Sequence, residues 1–314
     1  APVFTLGARR VRADDCEAMM KPSETEPNRI DPDPGSPPPE PGLYVVATPI
    51  GNLRDISLRA LDVLAGVDRA YAEDTRVARK LLDAYGLKPP LAVYNDHSGE
   101  EVRAQILAAL GQGQTIALLS DAGTPLVSDP GYKLVRAVIE AGRRVFPIPG
   151  ASALLAGLVV SGLPSDRFLF AGFLPSKQGA RRAALDALAD IDTTLIFFES
   201  GPRLAESLAD MGAALGERQA VVARELTKMF EETRRASLTE LAEYYAAAGV
   251  PRGEIVVIVA PPAPRGEVSD EALDAFLVAA LSRGVKEAAS EAARDLGVPR
   301  KRAYARALEL KSKR

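Results

Sequence analysis

The sequence contains one cysteine, Cys16, and one histidine, His97. A disulfide framework needs paired cysteines and a structural zinc site needs several Cys or His ligands, so both are excluded. Metal chemistry would have to rest on carboxylates alone, and the cysteine usage fits a reducing cytoplasm. No run of about 18 uninterrupted apolar residues occurs, and the N-terminus lacks the compact apolar core of a signal peptide. The sequence therefore predicts a cytoplasmic, soluble protein that does not enter a membrane. Two phosphate-binding signatures are also missing: Ala47-Thr48-Pro49-Ile50-Gly51-Asn52-Leu53 stands where a dinucleotide fold carries G-x-G-x-x-G, and there is no Walker A loop. The net charge of -3 excludes a uniformly basic nucleic-acid coat but leaves room for a local basic patch.

With 314 residues, 47% hydrophobic and 26% charged, the chain can bury two cores and still carry an appendage. Residues 1–41 hold nine prolines, many acids and little periodicity, which predicts a disordered Pro-rich extension. From Leu43, short β-branched runs alternate with helical patterns five times, ending with the helix Ala151 to Val160. That alternation predicts right-handed crossovers and a mostly parallel sheet covered on both faces, over residues 42–163. A second α/β set, 164–262, interleaves strands and helices less regularly and reads as a mixed sheet. Pro261-Pro262-Ala263-Pro264 reads as a linker.

Residues 267–314 form a helical tail. Gly297 fits the position just past a helix and Pro299 the first turn of the next, so Leu296-Gly297-Val298-Pro299 makes a tight turn resembling helix-turn-helix. From Arg283 to Arg314 there are 10 Lys or Arg against 4 acids. That surplus, with Arg300, Lys301, Arg302 and Arg306 at its centre, suits a polyanion such as RNA.

Three strand-end loops carry small and turn-forming residues: Thr48 to Gly51, Ser120 to Gly131, and Pro149 to Ala153. In a parallel sheet all three open on the same edge, where a flat heteroaromatic ligand with polar ends can lie against backbone groups. Such a site suits a nucleoside without a phosphate.

The segments Leu43 to Leu53, Ala72-Glu73-Asp74-Thr75-Arg76, Ser120 to Pro125, Ser128 to Gly131, Gly162 to Phe168 and Ala223 to Lys228 together resemble the tetrapyrrole (corrin/porphyrin) methylase family, in its ribosomal-RNA-modifying branch. The resemblance implies two α/β domains of the class III methyltransferase fold plus a small helix-turn-helix-like domain. It implies a homodimer that takes S-adenosylmethionine into the cleft between the domains. The implied reaction is 2′-O-methylation of a cytidine ribose in 16S rRNA, in the decoding region, with 16S rRNA or the 30S subunit as substrate and no metal. Carried over by position, the cofactor contacts are Pro49, then Ala122, Gly123, Thr124 and Val127, then Ser152 and Ala153, with Phe198 flanking the adenine. Tetrapyrrole members commonly have Gly-Asp-Pro where this chain has Gly123-Thr124-Pro125, which leaves that contact to Thr124 or Asp121.

Methyl transfer is an in-line displacement, and a weakly acidic ribose hydroxyl gains from a base or a nearby cation. The candidates are Lys228, Glu199 and Asp121, with Glu225, Glu231 and Asp96 beside them; Lys228 is favoured because a desolvated lysine can be neutral or stabilise an alkoxide. His97 reads as a turn residue. Asp74 reads as a helix cap or as the partner of Arg76. Two rival functions share much of this pattern, a small-molecule tetrapyrrole methylase and a nonenzymatic RNA-binding protein.

Overall fold

The computed structural model describes residues 37–95, 99–263 and 268–312 of the chain. The expectations for residues 1–36, for Asp96 and His97, and for Lys313 and Arg314 lie outside the described residues. The chain falls into two compact units: residues up to 156 with 225–231, and residues 157–224 with 232 onward.

The first unit contains five strands in strict alternation with helices: β1 (Gly42–Val46), α1 (Leu58–Gly66), β2 (Arg69–Ala72), α2 (Thr75–Ala84), β3 (Leu91–Val93), α3 (Gly99–Gly111), β4 (Thr115–Leu119), α4 (Tyr132–Glu140) and β5 (Val145–Ile148). The strands are parallel in the order β3-β2-β4-β1-β5. Side chains alternate across the sheet as period two requires. Tyr44, Val46, Ala70, Ala72, Ala117 and Leu119 meet α1 and α2 on one face, and Leu43, Tyr71, Ile116 and Leu118 meet α3 and α4 on the other. Each fully buried Leu or Ile contributes about 1.5–3 kcal/mol. Ser57 caps α1, accepting from the Ala60 N–H at 3.2 Å.

The strand order sets the switch point of the sheet. The chain leaves β1 over β4 to reach β2, and leaves β4 over β1 to reach β5. These neighbours therefore send their connections in opposite directions, and the loops after β1 and β4 part at the topological switch point.

Helix α5 (Ala153–Ser161) begins in the first unit and ends in the second. The second unit then carries β6 (Phe168–Phe173), α6 (Gln178–Asp186), β7 (Thr194–Ser200), α7 (Leu204–Leu215), β8 (Gln219–Arg224), β9 (Glu232–Ser237), α8 (Leu238–Ala248) and β10 (Glu254–Val259). Its sheet, β6-β7-β10-β8-β9, pairs β6 with β7 in parallel and the rest antiparallel, the mixed sheet expected. One face packs Leu195, Phe197, Val222 and Val257 against α6, α7 and α8. Arg181 and Asp210, both buried, pair at 2.7 Å between α6 and α7. Burial pushes the Asp210 carboxyl up, but hydrogen bonds from Arg182, Arg181 and Gln178 more than offset it and hold it below the ordinary range.

The unit boundary within α5 differs from the turn at residues 163–164 that the sequence suggests. Turn residues mark where the chain bends, whereas a unit is defined by which core its residues fill, and Gly157 packs against Val256 and Ile258 of β10.

The tail consists of α9 (Asp270–Ala280), α10 (Val285–Asp295) and α11 (Arg300–Ser312) around its own core of Leu273, Leu277, Ala288, Ala292, Ala303 and Ala307. Gly297 has φ +68°, as a residue just past a helix requires. Ser269 caps α9, accepting from the Ala272 N–H at 3.2 Å.

Candidate active site

At the carboxyl edge of the first sheet the three loops are tied together. Thr48 and Gly123 exchange backbone hydrogen bonds, Thr48 N to Gly123 O at 2.8 Å and Gly123 N to Thr48 O at 3.1 Å. The buried Thr48 hydroxyl donates to the Ser120 carbonyl at 3.0 Å. The Thr124 hydroxyl donates to the Ala151 carbonyl at 3.1 Å, joining the second loop to the third. Gly123 has φ +84°, and a Cβ there would lie 3.3 Å from the Ile50 side chain. Ala122 is exposed, Gly123 buried and Thr124 half-buried, so the loop passes from solvent into the frame that ties it to its neighbours.

The second loop is closed on itself. Ser120 Oγ accepts from the Ala122 N–H at 3.3 Å and donates to the Asp129 carboxylate. Leu126 and Ser128 hold left-handed φ of +71° and +62°, strain that persists only where surroundings over-determine it. Burial raises the Asp129 carboxyl against the pull of Ser120, and the nearby Asp121 charge adds to the rise.

Asp121 turns toward β2, its carboxylate accepting from the Asp74 N–H at 3.0 Å. Asp74 in turn caps α2, accepting from the Arg76 N–H at 2.8 Å and pairing with the Arg76 guanidinium at 2.6 Å. These Arg76 bonds hold its carboxyl at about 2. Both roles expected of Asp74 are therefore present together.

The segment 225–231 joins β8 to β9 yet packs with the first unit. Glu225 and Thr227 take left-handed φ of +51° and +67°. The turn is closed by Lys228 N to Glu225 O at 3.0 Å, Glu231 N to Lys228 O at 3.2 Å and Thr227 N to Glu231 Oε2 at 2.7 Å. Lys228 Nζ bonds Glu225 Oε1 at 2.8 Å, and the lysine stem lies where a Cβ on Gly51 would stand, 2.3 Å from Lys228 Cγ. Lys228 is thereby held beside the first loop.

Two expectations require correction. Glu199 is within β7, not in a loop, and it is buried: its carboxylate accepts from Ser200 N at 2.8 Å and Ser207 Oγ at 2.6 Å, with Arg203 at 3.5 Å. It anchors the start of α7 and is not presented as a base. Arg302 and Arg306 are not free phosphate ligands. Arg302 bonds the Val268 carbonyl and Asp270, both at 2.8 Å, and Arg306 grips Asp274 through two bonds of 2.6 and 2.7 Å and Glu309 at 2.8 Å. They clamp α11 to α9. Arg300 and Lys301 are exposed, with no carboxylate of the described residues within ion-pair distance.

In the second unit, Phe198 packs edge-on to Phe170 at 4.8 Å and Phe173 at 5.6 Å, on the sheet face opposite Phe197. The loop ties through Ile50, Ala151 and Asp129 escaped the sequence reading. Ser120 and Asp129 stand nine residues apart, a spacing without meaning until the loop is closed.

The family model for Tetrapyrrole (Corrin/Porphyrin) Methylases matches residues 42–242. The chain belongs to the tetrapyrrole methylase family. A second model, the RsmI C-terminal HTH domain, matches residues 267–311 of this methylase. It is 55% identical to the Ribosomal RNA small subunit methyltransferase I of Mesorhizobium japonicum, over 87% of this chain and 93% of that one. The protein of the same name from Pseudomonas aeruginosa is 48% identical over 86% and 98% of the two chains. Among solved structures, diphthine synthase matches with a TM-score of 0.55 at 18% identity, covering 69% of this chain and 89% of that one. A cobalt precorrin-4 methyltransferase matches with a TM-score of 0.52 at 15% identity, covering 69% and 94%. These confirm the two-sheet α/β fold of the methylase. No helix among the described residues is long and apolar enough to cross a membrane, and none of their carboxylates, Cys or His cluster as metal ligands.

Proposed function

We propose that this methylase transfers a methyl group from S-adenosylmethionine to a ribose 2′-oxygen of a cytidine in 16S rRNA, acting as a homodimer on the rRNA or the 30S subunit. The observation that carries the reading is similarity to enzymes named Ribosomal RNA small subunit methyltransferase I that runs through the α/β units and into the tail. The cofactor reading fits the chemistry of the first unit's edge. The strand-end loops at Thr48, Gly123 and Thr124 are braced on one another by backbone and hydroxyl hydrogen bonds, without a phosphate-binding glycine motif, which suits a nucleoside better than a phosphate.

Pro49, Ala122, Gly123, Thr124, Val127, Ser152 and Ala153 would hold the cofactor. S-adenosylmethionine supplies an electrophilic methyl whose positive charge disappears on transfer. Backbone carbonyls can hold such a charge without overstabilising the ground state, as a close carboxylate pair would not. Lys228 would assist the ribose hydroxyl: its ammonium, bonded to Glu225 with its stem on Gly51, would favour charge developing on that oxygen. Asp121 acts through the Asp74 N–H as a brace between loops. Arg300 and Lys301 lead the tail's contact with phosphate.

The deciding experiment offers 30S subunits, naked 16S rRNA and uroporphyrinogen as acceptors of tritiated methyl from S-adenosylmethionine. Transfer to the RNA substrates is expected, at a nucleotide whose 3′ linkage becomes resistant to alkali because the 2′-oxygen is blocked. Label in the tetrapyrrole alone, or in no acceptor, would overturn the reading.

A further inference from the structure

The tip of the 225–231 segment leaves Met229 90% and Phe230 69% exposed, side by side in sequence and next to Lys228. They are not a loosely drawn loop end. Leu226 of the same turn is buried, two left-handed residues set the turn, and four hydrogen bonds close it. A turn that stores backbone strain to present two large apolar side chains to water implies a partner for them. We propose that Met229 and Phe230 form a platform on which an unpaired nucleobase of the RNA substrate stacks, presenting its own or the adjoining ribose to Lys228.

The size of the patch selects this occupant. A phenylalanine and a methionine together offer on the order of 300 Å², well below the roughly 800 Å² that each side of a stable protein interface buries. One aromatic face is, however, the area one base needs. Single-stranded RNA is gripped by such stacking on aromatic side chains, which tolerates any base because every base has a π-face. The location agrees: the same segment holds Lys228 against Gly51, in the first strand-end loop. A stacked base would also fix the ribose in line, the positioning on which an in-line displacement depends. Both side chains face solvent, so truncating them leaves the cores intact.

The inference rests on the RNA reading proposed above, and its test separates the two. Full-length wild type, Phe230→Ala, Phe230→Trp and Met229→Ala are assayed for methyl transfer to 30S subunits and 16S rRNA, with calorimetric S-adenosylmethionine affinity and sedimentation alongside. Removing one stacking partner is expected to raise the KM for RNA about 5- to 150-fold in Phe230→Ala, with a smaller rise in Met229→Ala. Phe230→Trp restores wild-type KM, and cofactor affinity and oligomeric state stay unchanged. An unaltered KM in Phe230→Ala, failure of Trp to rescue, or loss of self-association in Phe230→Ala would overturn the platform while leaving the RNA reading standing. Wild-type enzyme that labels no RNA would overturn both.

Discussion

Gly123 and Gly142 offer a controlled pair of substitutions, because both hold left-handed backbone but only one lies at the strand-end loops. Their φ values are +84° and +67°. Left-handed backbone costs an L-residue about 1–2 kcal/mol, and replacing glycine returns about 0.4–1 kcal/mol by stiffening the unfolded chain. Alanine at Gly142 meets no atom within 4 Å, so its whole effect is that difference, of order 1 kcal/mol and a few degrees in melting temperature. Alanine at Gly123 carries the same strain and adds a methyl 3.3 Å from Ile50. Its backbone is bridged both ways to Thr48, so relief of the strain must pull the first and second loops apart. Gly123→Ala is therefore expected to lose at least about tenfold in S-adenosylmethionine affinity, roughly 1.4 kcal/mol. Gly142→Ala should bind normally. Calorimetric titration and thermal melts on both variants check this. Equal cofactor affinity in the two would refute the reasoning that the bridge shapes the pocket.

Three further outcomes are expected. Lys228→Met should lower the rate of methyl transfer about 10²-fold with cofactor affinity retained, as loss of one charge-stabilising group does, measured by single-turnover kinetics. Replacing Arg300 and Lys301 by Ala should reduce the slope of log affinity against log salt by about 1 per lost phosphate contact, whereas Arg306→Ala should lower the melting temperature of the tail more than it changes that slope. Asp74, whose carboxyl is held at about 2 by Arg76, gives stability that is present above its unfolded pKa near 4 and lost as pH falls toward 2. Asp74→Asn should thus be less stable than wild type at neutral pH and converge with it by about pH 2 in melts across that range.

The strands and their faces were readable because burial on alternate residues leaves a period-two trace, as in Leu43 to Val46 and Thr115 to Leu119. The same rule extended two residues would have placed Glu199 with Leu195 and Phe197, on the core side of β7, and removed it from the candidate bases. The positive surplus of the tail was visible as a sum, but the fate of each charge was not. Arg306 is consumed by Asp274 on another helix, 32 residues away, and no local pattern announces that partner. The strand-end loops that carry Pro49, Ala122 and Gly123 were legible through turn chemistry, whereas the ties among them depend on strand order. The seat of Lys228 against Gly51 was hidden for the same reason: it joins segments far apart in the chain.

The seven residues from Glu225 to Glu231 also have a consequence for biosynthesis. Five strands of the first unit leave the ribosome early, yet the piece that fills the space beside Gly51 is translated only after most of the second sheet. Domains commonly fold as they emerge, but this one would wait in an unfinished state, its first loop unbraced, until β8 has been made. A fragment cut at the end of the fifth strand would lack Lys228 and the turn around it, so the brace on the first loop is acquired late.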